Sequence, residues 1–229
     1  VVPLDCPVSD YIFMGTENPL NLSQKEQVYA FANTHFNEVG WLYPSNSSTS
    51  VNAYVIYNYK EGAWYYGTMP RSAWLDQSGG YYPIATGNDG YLYAQEFGTD
   101  DGSTNPPSAI NAYIESSPIE APTEGPGEHF VFIDRLLPDV TFRNSSQSQS
   151  QSVDMTVSMS DYPGGGTTQS TTSTVTQQAS PPAPDTFTQQ CYIRLRGRAM
   201  TFKVSSSTTG VAWRLGVPRL EFRLDGRRG

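Results

Sequence analysis

The chain has 229 residues, with 22 acidic against 14 basic side chains for a net charge of −8, only 16% charged residues, 20 Gly and 17 Pro. An average globular protein carries about 25% charged residues, so frequent turns and short strands are expected here rather than long charged helices. No run approaches the roughly 20 apolar residues a transmembrane helix needs, which excludes a helical membrane protein, and the length suits one large domain or two small ones.

The chain begins at Val1 without Met and without a secretory leader, so a fragment or a processed chain is expected. Ser23-Gln24-Lys25-Glu26 has the form of a capping box, in which Ser23 accepts from the third amide and Glu26 reaches back. With Val28, Tyr29, Phe31 and Ala32 behind it, it predicts one short helix near the N-terminus, no longer than about three turns. The rest alternates or clusters as strands do, over residues 39–43, 53–59, 63–69, 84–85, 91–97, 109–116, 130–136, 153–158, 187–196, 199–205 and 211–224. Lys60-Glu61-Gly62 predicts a hairpin turn, and Asn88-Asp89-Gly90 supplies the positive-φ residues a second one wants. Short Tyr- and Trp-rich strands joined by Gly-containing turns fit stacked antiparallel sheets, either propeller blades or a sandwich. The expected fold is all-β, with propeller-like blades followed by a C-terminal β-domain.

Two low-complexity stretches, 144–152 and 163–184, contain too little apolar surface to offset the entropy of ordering them, and are expected to be loops or long hairpin tips. Between them, Val153, Met155, Val157 and Met159 share one strand face. Further on, Arg194, Arg196 and Arg198 alternate with Ile193, Leu195 and Gly197, giving one cationic and one apolar face. The apolar parity then shifts from Trp213, Leu215 and Val217 to Leu220, Phe222 and Leu224, which predicts a bulge or bend at Pro218. Opposite that second set, Arg219, Glu221, Arg223 and Asp225 alternate in sign. Such a ladder is ordinarily a solvated face, since exposed ion pairs contribute only about 0–1 kcal/mol each. As the alternative, Arg194, Arg196, Arg198, Arg219, Glu221 and Arg223 form the candidate subunit interface.

Charge divides the chain near residue 140. Residues 1–140 hold 17 acidic and 4 basic side chains, and residues 141–229 hold 5 acidic and 10 basic. Two regions are therefore expected, an acidic, aromatic-rich one over 1–140 and a basic one over 141–229, whose opposite charges would suit packing one copy against the next. With a sequence pI near 4.7, an independent nucleic-acid binder is not expected. An acidic surface lining a passage would instead let DNA slide without sticking.

Chemistry is sparsely supplied. Cys6 and Cys191 are expected to be free thiols, and neither His35 nor His129 has a second ligand at metal-binding spacing. Asp100-Asp101, following Glu96, invites comparison with the paired carboxylates of glycosidases, but Thr99-Asp100-Asp101-Gly102-Ser103 reads as a polar turn. No nucleophile elbow or phosphate-binding loop is present. Trp41, Tyr43, Tyr54, Tyr57, Tyr59, Trp64, Tyr65, Tyr66 and Trp74 could stack on sugars, but their period-2 placement reads more economically as sheet packing. No enzyme activity, cofactor or metal is expected.

Several phrases carry a resemblance. They are Trp41-Leu42-Tyr43-Pro44, Tyr54-Val55-Ile56-Tyr57-Asn58, Trp64-Tyr65-Tyr66-Gly67, Arg71-Ser72-Ala73-Trp74, Gly90-Tyr91-Leu92-Tyr93-Ala94-Gln95-Glu96-Phe97-Gly98, and Trp213-Arg214-Leu215-Gly216-Val217-Pro218-Arg219-Leu220 with Asp225-Gly226-Arg227-Arg228. Together they resemble bacteriophage virion structural proteins, of the tail-nozzle or tail-tube type of short-tailed phages. The resemblance implies a β-propeller core with added β-domains and a homo-oligomeric ring of six copies at the tail base, assembled in the host cytoplasm. It implies a channel for DNA as passing cargo during ejection, contacts with other tail proteins, and no cofactor. A full-length nozzle protein is much longer, so the chain would be its C-terminal portion. Two other readings are open: a carbohydrate-binding or carbohydrate-active β-protein using exposed aromatics such as Trp41 and Trp64, and a receptor-binding tip reaching out through 163–184.

Overall fold

The computed structural model describes residues 3–16, 18–77, 82–101, 104–120, 129–142, 145, 151–162, 164–179, 186–188 and 190–227. The fold is mostly β, every strand pairing is antiparallel, and the chain divides into two units, Val1–Phe97 and Gly98–Gly229. Among the described residues, no helix is long and apolar enough to cross a membrane.

In the first unit, the short helix α1 (Ser9–Phe13) precedes a four-stranded meander of β1 (Tyr29–Asn33), β2 (Glu38–Tyr43), β3 (Ala53–Asn58) and β4 (Ala63–Thr68), paired in that order. A second meander follows, of β5 (Arg71–Leu75), β6 (Ile84–Gly87) and β7 (Leu92–Ala94). Both expected hairpins form. Between β3 and β4, Asn58 Oδ1 accepts from the Lys60 and Glu61 amides at 3.1 and 3.0 Å, and Gly62 takes the left-handed conformation, φ +67°. Between β6 and β7, Gly90 does the same at φ +86°.

The capping-box helix does not form as expected. Leu22–Gln27 is a 3-10 helix kinked at Gln24, and the residue that caps it is Asn21, whose Oδ1 accepts from the Ser23 amide at 3.1 Å. Residues 29–32, expected to continue the helix, lie in the strand Tyr29–Asn33. Its register against β2 buries Phe31 and Asn33 while Ala32 between them stays half-buried, and this pairing outweighs weak local helix propensity. The helix α1 was not foreseen; Ile12 buries against Tyr43, Ala53 and Val55.

Alternation on β3 covers both sheet faces. Ala53 and Val55 pack with Ile12 and Tyr43, flanked by Trp41 and Trp64, whereas Ile56 packs with Phe31, Leu42 and Val51, flanked by Tyr54 and Trp74. The aromatic phrases therefore build packing. Trp41 and Trp64 stack at 6.1 Å, Tyr57 tilts against Trp64 at 4.8 Å, and Tyr11 stacks on Tyr66 at 3.7 Å.

The second unit is a sandwich of two sheets. Its strands are β8 (Ala112–Glu115), β9 (Ile119–Glu120), β10 (His129–Leu137), β11 (Val140–Thr141), β12 (Ser152–Ser160), β13 (Gln169–Ala179), β14 (Thr186–Thr188), β15 (Cys191–Gly197), β16 (Ala199–Ser206), β17 (Arg214–Leu215) and β18 (Arg219–Arg227). One sheet runs β14-β13-β12-β16-β8, with β9 also on β16; the other runs β15-β10-β18, and β11 pairs with β17. A single core joins them: Val153, Met155, Val157 and Met159 of β12 meet Ile133, Leu136, Ile193 and Leu195 of the facing sheet. Cys191 lies in that core, where burial pushes its thiol pKa up, and it and Cys6 are free.

Three expectations change here. Charge placed the domain boundary at 140, but β8 pairs with β16 and β10 pairs with β15 and β18, so residues 98–140 fold with the C-terminal segment. Divided after Phe97, the units carry 9 acidic against 3 basic and 13 acidic against 11 basic side chains, and the contrast between acidic and basic regions largely disappears. Opposite charges meet inside the second unit instead, as in Lys203–Glu115 at 3.2 Å.

The stretch 163–184, expected to be a loop or a long hairpin tip, contains the eleven-residue strand β13, which pairs antiparallel with β12. Its hydroxyls pair across to β12, Thr172 with Thr156 at 2.8 Å, Ser170 with Ser158 at 3.1 Å and Thr174 with Asp154 at 2.7 Å, while Val175 points into the core. Cross-strand Thr and Ser pairs stabilise a sheet where apolar content is low, so residues 169–179 are no free reach for a receptor-binding tip. Residues 163 and 180–184 of that stretch, and 144 and 146–150 of the other, lie outside the described residues. At Pro218 the expected break is present: β17 ends at Leu215, β18 starts at Arg219, and the Gly216 and Val217 amides between them donate to Asp139.

Candidate functional site

Five of the six candidate interface residues lie on the outer strands of the β15-β10-β18 sheet, Arg194 and Arg196 on β15 and Arg219, Glu221 and Arg223 on β18, and Arg198 follows β15 directly. Phe132 on the central strand lies opposite Arg196 on one side and Arg223 on the other. Arg196 and Arg198 stack on Phe130 at 3.9 and 4.8 Å, and Arg223 on Phe132 at 4.8 Å. Phe130 is only 2% exposed, so these arginines cover an aromatic floor rather than forming a bare cationic stripe. Arg196 Nε also meets Asp225 at 2.5 Å, and Arg135 meets Glu221 at 2.5 Å. Arg194 is exposed at φ +70°, in a bulge where β15 has one residue more than β10. Arg219, exposed, opens β18 opposite Leu137.

A second feature, in the first unit, was not predicted. A cleft of about 320 Å³ is walled by aromatic residues including Phe31, Tyr54, Tyr65 and Trp74, with Glu38 and Glu96 at its polar side. The buried Asn33 bridges the two carboxyls, its Nδ2 donating to Glu38 at 3.1 Å and Glu96 at 3.4 Å. The Tyr65 hydroxyl donates to Glu38 in a short hydrogen bond. Burial, then that hydrogen bond, pushes the Tyr65 pKa up. Glu96 sits at φ +57°, a left-handed turn residue after β7. The residue as a whole is exposed, but surrounding protein crowds its carboxyl, and this burial, followed by the nearby Glu38 charge, raises its pKa against the lowering effect of Asn33. Acceptors beside aromatic walls of this kind can hold a hydroxyl-bearing ligand.

Nothing in the spacing of Glu38 and Glu96 links them. Asp100 and Asp101 lie where the chain pairs back on itself: Asp100 forms an isolated antiparallel bridge with Ala109, Asp101 Oδ1 accepts from the Ser108 amide at 3.2 Å and the Asp101 amide donates to the Ser108 carbonyl at 3.0 Å. Gly102 and Ser103 of that turn lie outside the described residues. Trp41 and Trp64, proposed as sugar-stacking residues, are half-buried and packed on a core cluster. Among the described residues, no group of three or more His, Cys, Asp or Glu is placed to hold a metal ion.

The Glu96 environment has a measurable consequence. A carboxyl whose folded pKa lies above its unfolded one stabilises the fold at low pH, and that contribution is lost as pH rises through the folded value. Glu96→Gln, neutral at every pH, is therefore expected to be more stable than the parent at pH 7, with the difference shrinking as pH falls toward the ordinary glutamate pKa of about 4.3. Thermal unfolding followed across that range checks the sign.

No protein-family model matches the chain, and no curated protein matches it.

Proposed function

We propose that the chain is a structural subunit of the tail of a short-tailed bacteriophage, one copy in a ring of six that conducts DNA and attaches neighbouring tail proteins. It acts in the virion and is assembled in the host cytoplasm. The observation that carries this reading is the succession of two meanders, β1–β4 then β5–β7, in chain order. Consecutive meander sheets are the building plan of propeller blades, and the phrases resembling nozzle proteins fall on β2, β3, β4, β5 and the turn into β7. Aromatic residues on both faces of the first meander stiffen it as a scaffold would require. A net charge of −8 favours passage of DNA over its retention.

The Glu38–Glu96 cleft favours a second reading, a carbohydrate-binding β-protein, with Trp74 rather than Trp41 or Trp64 as the stacking surface. Sedimentation of the full chain with and without neutral oligosaccharides separates the two. The tail reading predicts assembly beyond a dimer and indifference to sugars. The second predicts sugar binding, seen as a change in tryptophan fluorescence, that Trp74→Ala abolishes.

A further inference from the structure

We propose that β18 is a self-complementary edge, through which two copies of this chain pair antiparallel about a twofold axis at Phe222. The inference does not rest on the phage reading. Among the described residues β18 pairs only with β10, so its other edge is open. Open edges are normally blocked by proline, lysine or bulges. Here Pro218 lies just before the strand and Gly226, at φ +80° in a bulge against β10, lies near its end. The run between them is Arg219 to Asp225, of which Asp225 shares the bulge with Gly226, and its midpoint is Phe222.

An antiparallel pair centred on Phe222 places Arg219 opposite the partner's Asp225, Leu220 opposite the partner's Leu224, and Glu221 opposite the partner's Arg223. Every charged contact is then between opposite signs. Moving the axis to residue 221 or 223 would set Glu221 or Arg223 against its own copy, and an axis between residues would set charged side chains against apolar ones. Only the central register satisfies the whole run. Each carboxylate would also lie between two arginines, since Glu221 and Asp225 already bind Arg135 and Arg196 within their own chain.

On the other face, Phe222 and Leu224 are opposite Ile133 and Val131 of the core-facing strand, yet remain 47% and 52% exposed. These are costly positions for large apolar side chains on an edge. A second copy covers them, with Phe222 against the partner's Phe222 and Leu224 against the partner's Leu220, the cross-strand aromatic and aliphatic contacts that stabilise sheets. Such a contact is isologous; a cyclic ring that also used it would double into a dihedral assembly.

Register-specific cross-linking of the full chain tests this. In a Cys6→Ser background, with Cys191 buried, a short bifunctional maleimide should join Phe222→Cys into covalent dimers and leave Leu224→Cys monomeric, because only position 222 faces itself. Charge reversal gives an independent arm. Glu221→Arg and Arg223→Glu should each weaken the dimer roughly tenfold, since each twofold pair then contains two like-charge contacts, and the double variant should recover most of that loss. Circular dichroism verifies that each variant is folded. Equal cross-linking at 222 and 224, no cross-linking at 222, or a folded double variant as weak as the singles would overturn the proposal.

Discussion

Replacing Leu136 with Ala is expected to destabilise the second unit by about 2–5 kcal/mol, the range for emptying a leucine site in a packed core. Leu136 has 0% exposure on β10, the central strand of its sheet, where it lies opposite Cys191 and Leu220. Neighbours on both sides hold the site open, so the cavity cannot readily collapse. Trp213 packs against this core and is the one tryptophan after Phe97, whereas Trp41, Trp64 and Trp74 belong to the first unit. Chemical denaturation followed through Trp213, with the other three tryptophans replaced by Phe, would read this loss directly. A shift under about 1 kcal/mol would mean that β10 does not lie at the centre of a sandwich.

Gly40→Val is expected to destabilise the first unit by about 1–3 kcal/mol or more through overpacking. A Cβ at position 40 would come within 2.5 Å of the Phe31 ring and 2.9 Å of Ile56 Cγ1. The ring has little room to retreat, because it already lies against Trp74 with centroids 4.7 Å apart. Glycine within a strand marks such a close approach. Thermal unfolding should show a lowered midpoint together with altered tryptophan emission, and an unchanged midpoint would remove Phe31 from its place against the sheet.

Both sites show how far the sequence could be read. Strands β2, β3 and β4 of the first meander announced themselves because period-2 apolar residues and Gly-containing turns are local signals, as at Asn58 to Gly62. The arginine alternation on β15 and the break at Pro218 were legible for the same reason. What failed was decided by distant partners. Tyr29–Asn33 became a strand because β2 offered an edge, and the Ser/Thr run 169–179 because β12 offered matching hydroxyls and a core for Val175. Surface charge suggested a boundary at 140, but pairing of β8 and β10 with later strands set it after Phe97. The Glu38–Glu96 pair had no sequence signature, since it exists only once a strand and a later turn converge on Asn33. The resemblance to tail proteins rested on short phrases, and these proved to lie mainly in strands and the bends between them.

The reading of the chain as a tail scaffold is tested most directly by particle-averaged electron microscopy of the full-length protein. The account predicts closed rings of six copies around an axial hole, with the β1–β4 and β5–β7 meanders set as neighbouring blades. Isolated monomers at concentrations where virion proteins assemble would contradict it.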